Sequence, residues 1–240
     1  MFIPYMLNNL LPLKQDLKKF ASKEQAAILS RFFKTGKGEY GAGDKFIGIK
    51  VPNQRQVARK YFSELSLKET EELLQSPIHE HRLTALIILN LKYQKADEKT
   101  KKEIFNLYLR NTKKINNWDL VDLSAPNIVG DYLLDKDRKI LYKLAKSDDL
   151  WERRIVILAT YAFIRNNEFE DTFKISEILM NDNHDLIHKA VGWMLREAGK
   201  RDLKEEEDFL KKYYKEMPRT MLRYAIERFE EKKRKSYLKK

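Results

Sequence analysis

The sequence predicts an all-α protein built as a solenoid of stacked αα-hairpins, and three observations predict it. Only 8 glycines and 6 prolines, with no long β-branched alternation, leave little room for a sheet. Apolar residues recur at the helical period from end to end. Similar segments also return about every 35 residues, the sign of a repeat whose units bury their faces on one another.

In chain order, the apolar run from Met1 to Pro12 lacks a basic leader and a cleavage site, and is too short and broken to span a bilayer. It reads as a docking arm or first helix of a cytoplasmic protein. Ser22 with Gln25 and Ser66 with Glu69 fit capping boxes, and Ser76 caps a helix that would take Pro77 as its first residue. Pro52 and Pro218 also open helices. Asn116 or Asn117 caps a helix carrying Trp118 and Asp122 on one face, which Pro126 interrupts. The runs Ala85 to Leu89 and Ile155 to Leu158, and Trp151, are core. About a dozen helices result. They are expected to form one domain over 1–240: N-terminal helices and a Gly-rich loop to 50, repeats over 51–228, and a basic tail over 229–240.

The repeat is visible at Arg82, Arg154, Lys189 and Arg223, each a base leading into an apolar helix. Trp118 falls in that register, since the steps between 82, 118, 154, 189 and 223 are 36, 36, 35 and 34 residues. Aligned bases form a stripe suited to a phosphate backbone. In the central unit Trp118 replaces the base, and Asp122 follows one turn later. An acid at the centre of a basic surface opposes polyanion binding, so chemistry explains it better than affinity.

Composition agrees. The net charge is +12 and the pI about 9.5, favouring a polyanionic partner, nucleic acid before an acidic membrane surface. The absence of cysteine excludes disulfides, thiolate catalysis and Cys-ligated zinc. Gly36-Lys37-Gly38-Glu39-Tyr40-Gly41 has dinucleotide-loop spacing but follows a helix, not a strand, and so reads as a helix end and loop. In His184-Asp185-Leu186-Ile187-His188 the aspartate is too short for the zinc-protease role, leaving capping and surface roles. His79 and His81 diverge on a helix and form no chelating pair. The charged tail from Glu230 to Lys240 reads as a solvated helix end.

Asn117-Trp118-Asp119-Leu120-Val121-Asp122 through Gly130-Asp131, Leu150-Trp151-Glu152-Arg153-Arg154 with its apolar run, and Lys189-Ala190-Val191-Gly192-Trp193-Met194-Leu195-Arg196-Glu197 stand in an order that resembles the AlkD-like DNA alkylation-repair glycosylase family. The resemblance covers nearly the whole chain. It implies a right-handed superhelical solenoid of HEAT-like αα-hairpin repeats with a concave basic face. It further implies hydrolysis of the N-glycosidic bond of cationic N3- or N7-alkylated purines in duplex DNA, with no metal or organic cofactor and no enclosing base pocket. Carried over, Asp122 is the catalytic carboxylate, Trp118 and Trp193 are aromatic clamps, Arg154 holds the phosphate beside the lesion, and Arg196 is a further backbone contact. Together with the basic stripe, this gives Arg82, Lys189, Arg196 and Arg223 as DNA contacts.

The chain departs from the family pattern before the central motif. Phe32 and Lys50 stand where the characterised enzymes carry tyrosine and glutamine, and both are candidate DNA contacts here. The expected partner is double-stranded alkylated DNA, with the protein acting as a monomer and away from membranes. The alternatives are a non-catalytic binder of damaged or branched DNA and a protein-interaction scaffold.

Overall fold

A computed structural model of the chain describes residues 9–239. Its regular structure is helical, as the apolar period requires; fourteen α-helices occur among the described residues, and the one sheet-like feature is an isolated parallel bridge between Lys45 and Ile78. Of the N-terminal run, residues 1–8 lie outside the described part. The described residues up to Ser124 form one compact unit and those from Ala125 a second.

The first unit contains α1 (Leu10–Lys18), α2 (Lys23–Phe32), α3 (Val51–Tyr61), α4 (Leu67–Leu74), α5 (His79–Lys95), α6 (Glu98–Arg110) and the body of α7 (Trp118–Ala125). Helix α5 is central: α3, α4 and α6 all pack on it, and thirteen of its seventeen residues are buried. That is why its apolar residues form no single stripe, and why His79, Glu80, His81, Arg82, Thr84 and Asn90 are buried along with them. The predicted starts of α2 and α4 hold. Ser22 Oγ accepts the Gln25 N–H, and Ser66 with Glu69 closes a complete capping box. Pro52 sits in the first turn of α3. Pro77, however, lies ahead of α5, which starts at His79. Ser76 Oγ accepts from the Ile78 N–H and bonds His81 Nδ1. The Ser-Pro pair therefore makes a turn before the helix instead of capping it.

Between α2 and α3 the chain passes through the Gly-rich loop and then runs extended over residues 45–50. Gly48 is required there: its φ is +80°, and a Cβ would lie 2.0 Å from the Ser22 carbonyl oxygen. Beyond the Lys45–Ile78 bridge the segment has no sheet pairing. Its Ile47, Gly48 and Ile49 N–H groups donate instead to the carboxylate of Glu80, which is 1% exposed, at 2.8–3.2 Å.

Helix α7 ends at Ala125, where Pro126 predicts its interruption, and the chain continues into a π-helical segment, Pro126–Gly130, whose wider turn accommodates the proline. The second unit adds α8 (Lys139–Leu144), α9 (Leu150–Arg165), α10 (Glu170–Leu179), α11 (Asp185–Gly199), α12 (Leu203–Tyr213), α13 (Arg219–Ala225) and α14 (Glu231–Leu238). Helix α11 packs on α9, α10, α12 and α13, and the π segment packs on α9. Two glycines permit these approaches: a Cβ on Gly130 would lie 2.1 Å from the Ala159 carbonyl oxygen, and one on Gly192 2.4 Å from that of Met221. No described helix is long and apolar enough to cross a membrane.

The bases of the repeat lie near the starts of α5, α9, α11 and α13. Arg154, Lys189 and Arg223 are each the fifth residue of their helix, and Arg82 the fourth. Counted in this way, the fifth residue of α7 is Asp122, and Trp118 is the first. The slot of the base is thus taken by the acid, a correction of one turn to the alignment read from spacing alone.

Candidate active site

Helix α7 presents Trp118 and Asp122 half-buried, on one face and one turn apart. Its start is fixed by a network drawn from three stretches of the first unit. Buried Asn117 accepts the Trp118 N–H on its side-chain oxygen at 2.9 Å and donates to Asp44 at 3.3 Å. Asp44 also accepts from Arg82 Nη2 at 2.5 Å, and Arg82 donates to Asn116 at 2.9 Å and to the Ser76 carbonyl at 3.1 Å. His79 lies between two carboxylates, with Nδ1 2.9 Å from Asp44 and Nε2 2.8 Å from Asp119.

The charges in this network follow from its contacts. Burial opposes an imidazolium at His79, but the hydrogen bonds and charges of Asp119 and Asp44 outweigh it and push the pKa up to about 9. His79 is therefore a cation at neutral pH. Burial likewise opposes the Asp44 carboxylate, and His79 and Arg82 overcome it, holding its pKa below the usual value. Above the imidazolium lies a stack of rings. Phe46 is 4.4 Å from it, Phe33 is 5.2 Å from Phe46, and Trp118 is 5.1 Å from Phe33 at 26°. Phe32 meets Trp118 edge-on at 5.8 Å. These groups, with Lys50 and the first residues of α3, line a cavity of about 460 Å³.

Further along α7, Asn90 donates to the Leu123 carbonyl at 3.0 Å, and Tyr108 and Ser124 share a buried hydrogen bond of 2.9 Å. The Tyr108 hydroxyl is held above its ordinary pKa by burial first and then by the charge of Asp122.

The candidate residues of the first unit fall into two groups. Trp118, Phe32 and Lys50 border one cavity, with Asp122 a turn away. Arg82 is only 3% exposed, and its guanidinium is engaged by Asp44, Asn116 and Ser76. The expectation of a solvent-facing Arg82 in a basic stripe is corrected: the side chain organises the α7 start. In the second unit Arg154 is 5% exposed and donates to the Leu186 carbonyl at 2.6 Å. Trp193 is half-buried with Nε1 3.1 Å from Glu197, which also binds Lys200 and Arg196. Arg196 further pairs with Glu227, and Lys189 with Asp185 at 2.7 Å, while Arg223 is exposed. The His184 to His188 stretch serves its own helix: His184 accepts the Leu186 N–H, and His188 bonds the Asp182 carbonyl.

Sequence reasoning missed Phe33, Phe46, Asp44, His79 and Asp119. Their spacing was the one signal: Asp44, His79 and Asp119 are 35 and 40 residues apart, about one repeat each.

A comparison of the sequence with curated proteins finds no match. Among solved structures, a predicted DNA alkylation repair enzyme from Enterococcus faecalis matches with a TM-score of 0.69 at 17% identity, over 88% of this chain and 97% of that one, which shows a shared fold. A family model described as DNA alkylation repair enzyme matches residues 13–229, and the chain belongs to that family.

Proposed function

We propose that the protein is a DNA glycosylase that hydrolyses the N-glycosidic bond of cationic N3- and N7-alkylated purines in duplex DNA, with Asp122 as its catalytic carboxylate. The observation that carries this reading is the acid in the slot of a base: Asp122 stands half-exposed at the helix position that holds Arg154, Lys189 and Arg223 in other repeats. Such a position weakens binding to phosphates and is justified by a charge that develops during reaction.

An alkylated purine already carries a positive charge, so it can leave without protonation. The C1′–N bond breaks and its electron pair departs with the purine, neutralising it. Positive charge then grows on the sugar, where a fixed carboxylate stabilises it and accepts a proton from the water that adds to C1′. Trp118, backed by Phe33, offers an indole face to the same cation, worth about 0.5–2 kcal/mol. Lys50 in the first unit, and Lys189, Arg196 and Arg223 in the second, are proposed to meet the backbone. Trp193 is proposed as a further aromatic contact to DNA. Arg154, from its buried position, is proposed to hold a single phosphate.

The test is release of free methylated base from methylated duplex DNA. Asp122→Asn is expected to lower the rate at least about a hundredfold, the scale of losing one pre-organised electrostatic group, with duplex affinity retained or raised. Equal release by both proteins would overturn the role of Asp122. Salt-dependent duplex binding with no release by either would replace the glycosylase with a non-catalytic DNA-binding protein.

A further inference from the structure

The cavity beside Trp118 is not needed by the chemistry above, since hydrolysis at Asp122 acts on a sugar and does not require a base to leave the helix. Its construction nevertheless suits a ligand. At about 460 Å³ it falls in the range of small-molecule sites. Its rim is unusually apolar for a surface, with Phe32 61% and Val51 43% exposed. Its lining combines the rings of Phe32, Phe33, Phe46 and Trp118 with aliphatic side chains, and Gln25 supplies an amide.

Charge narrows the choice of ligand. The His79 imidazolium at the floor is already matched by Asp44 and Asp119, and its ring is 1% exposed, so the floor calls for no anion. The exposed cation is Lys50, at the mouth. A neutral planar ring inside with a negative group outside describes one nucleotide. Because unpairing and unstacking a base costs more than stacking on aromatic rings returns, the pocket would not extract a well-paired base but would hold one already unpaired.

We infer that this pocket receives a single unpaired nucleobase of the DNA, stacked on the exposed ring of Phe32, with Lys50 on its flanking phosphate. The inference rests on the DNA-binding part of the proposed function and goes beyond it, giving the protein a preference for duplexes with a base out of the stack.

The experiment compares two duplexes alike except that a 2-aminopurine is bulged in one and paired in the other, reading both affinity and probe fluorescence. The wild-type protein is expected to bind the bulged duplex at least about fivefold more tightly, the lower end for one base–aromatic stack, and to quench its probe. Val51→Trp, which fills the mouth, removes the preference and the quenching while paired-duplex affinity stays within about twofold. Phe32→Ala reduces the quenching. Equal affinity for the two duplexes, or quenching unaltered by Val51→Trp, overturns the pocket assignment while leaving the glycosylase reading intact. No binding to either duplex overturns both.

Discussion

At the residue scale, His79 shows how much of the site rests on one buried charge. Its pKa is raised to about 9 from 6.5. For a group whose folded pKa is raised, the stabilisation is fully present below about pH 6.5 and is lost as pH climbs through 9. A shift of this size corresponds to about 3 kcal/mol. His79→Leu removes the cation that Asp44 and Asp119 share, leaving Arg82 as the cation on Asp44, and is expected to cost about 3–5 kcal/mol at pH 6. Urea unfolding from pH 6 to 10 should show the gap between wild type and variant narrowing from about pH 6.5 to about pH 9; parallel curves would remove the charged histidine from the account. Residues of this kind were hidden in the sequence for a physical reason. A histidine flanked by Ile78 and Glu80 has no local mark of its partners, because those partners come from a loop and from the next repeat. Trp118 and Asp122 were legible because their relation is local, one turn of one helix.

At the element scale, caps and apolar period sufficed to locate most helices, since each depends on residues within one turn of the helix end. Where a proline was involved the outcome depended on neighbours: Pro52 opened α3, Pro77 fell outside α5, and Pro126 was absorbed in a π turn. Helix α12 illustrates a cost that no pattern displays. Its Glu206 is 2% exposed, packs on Gly199, and has an oxygen, Oε1, with no hydrogen-bond partner. Burial, helped by the charge of Glu207, pushes its pKa up to about 8. The carboxyl is thus protonated at neutral pH, and its ionisation weakens the second unit as pH rises from 4.5 towards 8. Glu206→Gln is expected to match wild type at pH 5 and to be more stable by about 1–3 kcal/mol at pH 8.5, measured by thermal or urea unfolding. A constant offset at both pH values would contradict an ionising Glu206.

At the scale of the whole molecule, a net charge of +12 makes affinity for DNA a salt-dependent quantity. Each phosphate neutralised contributes about −0.9 to the slope of log K against log salt. Arg223→Ala, removing an exposed base, should make that slope shallower by about one without changing stability. Arg82→Ala should do the reverse, lowering stability and leaving the slope alone, because its guanidinium is spent inside the protein. An unchanged slope for Arg223→Ala would take it out of the interface. The all-α class followed from composition, period and repeat together, since these sum over the entire chain. Which bases face outward did not, because a repeat fixes where a residue recurs and not what its own neighbours offer it.

The carboxylate of Glu80 has one more consequence. A stretch outside regular structure such as residues 46–50 would ordinarily leave its N–H groups open to a strand from another chain. Here the Ile47, Gly48 and Ile49 donors are all turned inward onto one buried acid. The segment thereby contributes Phe46, Ile49 and Lys50 to the cavity while these three donors are closed to a second strand by a single acidic side chain.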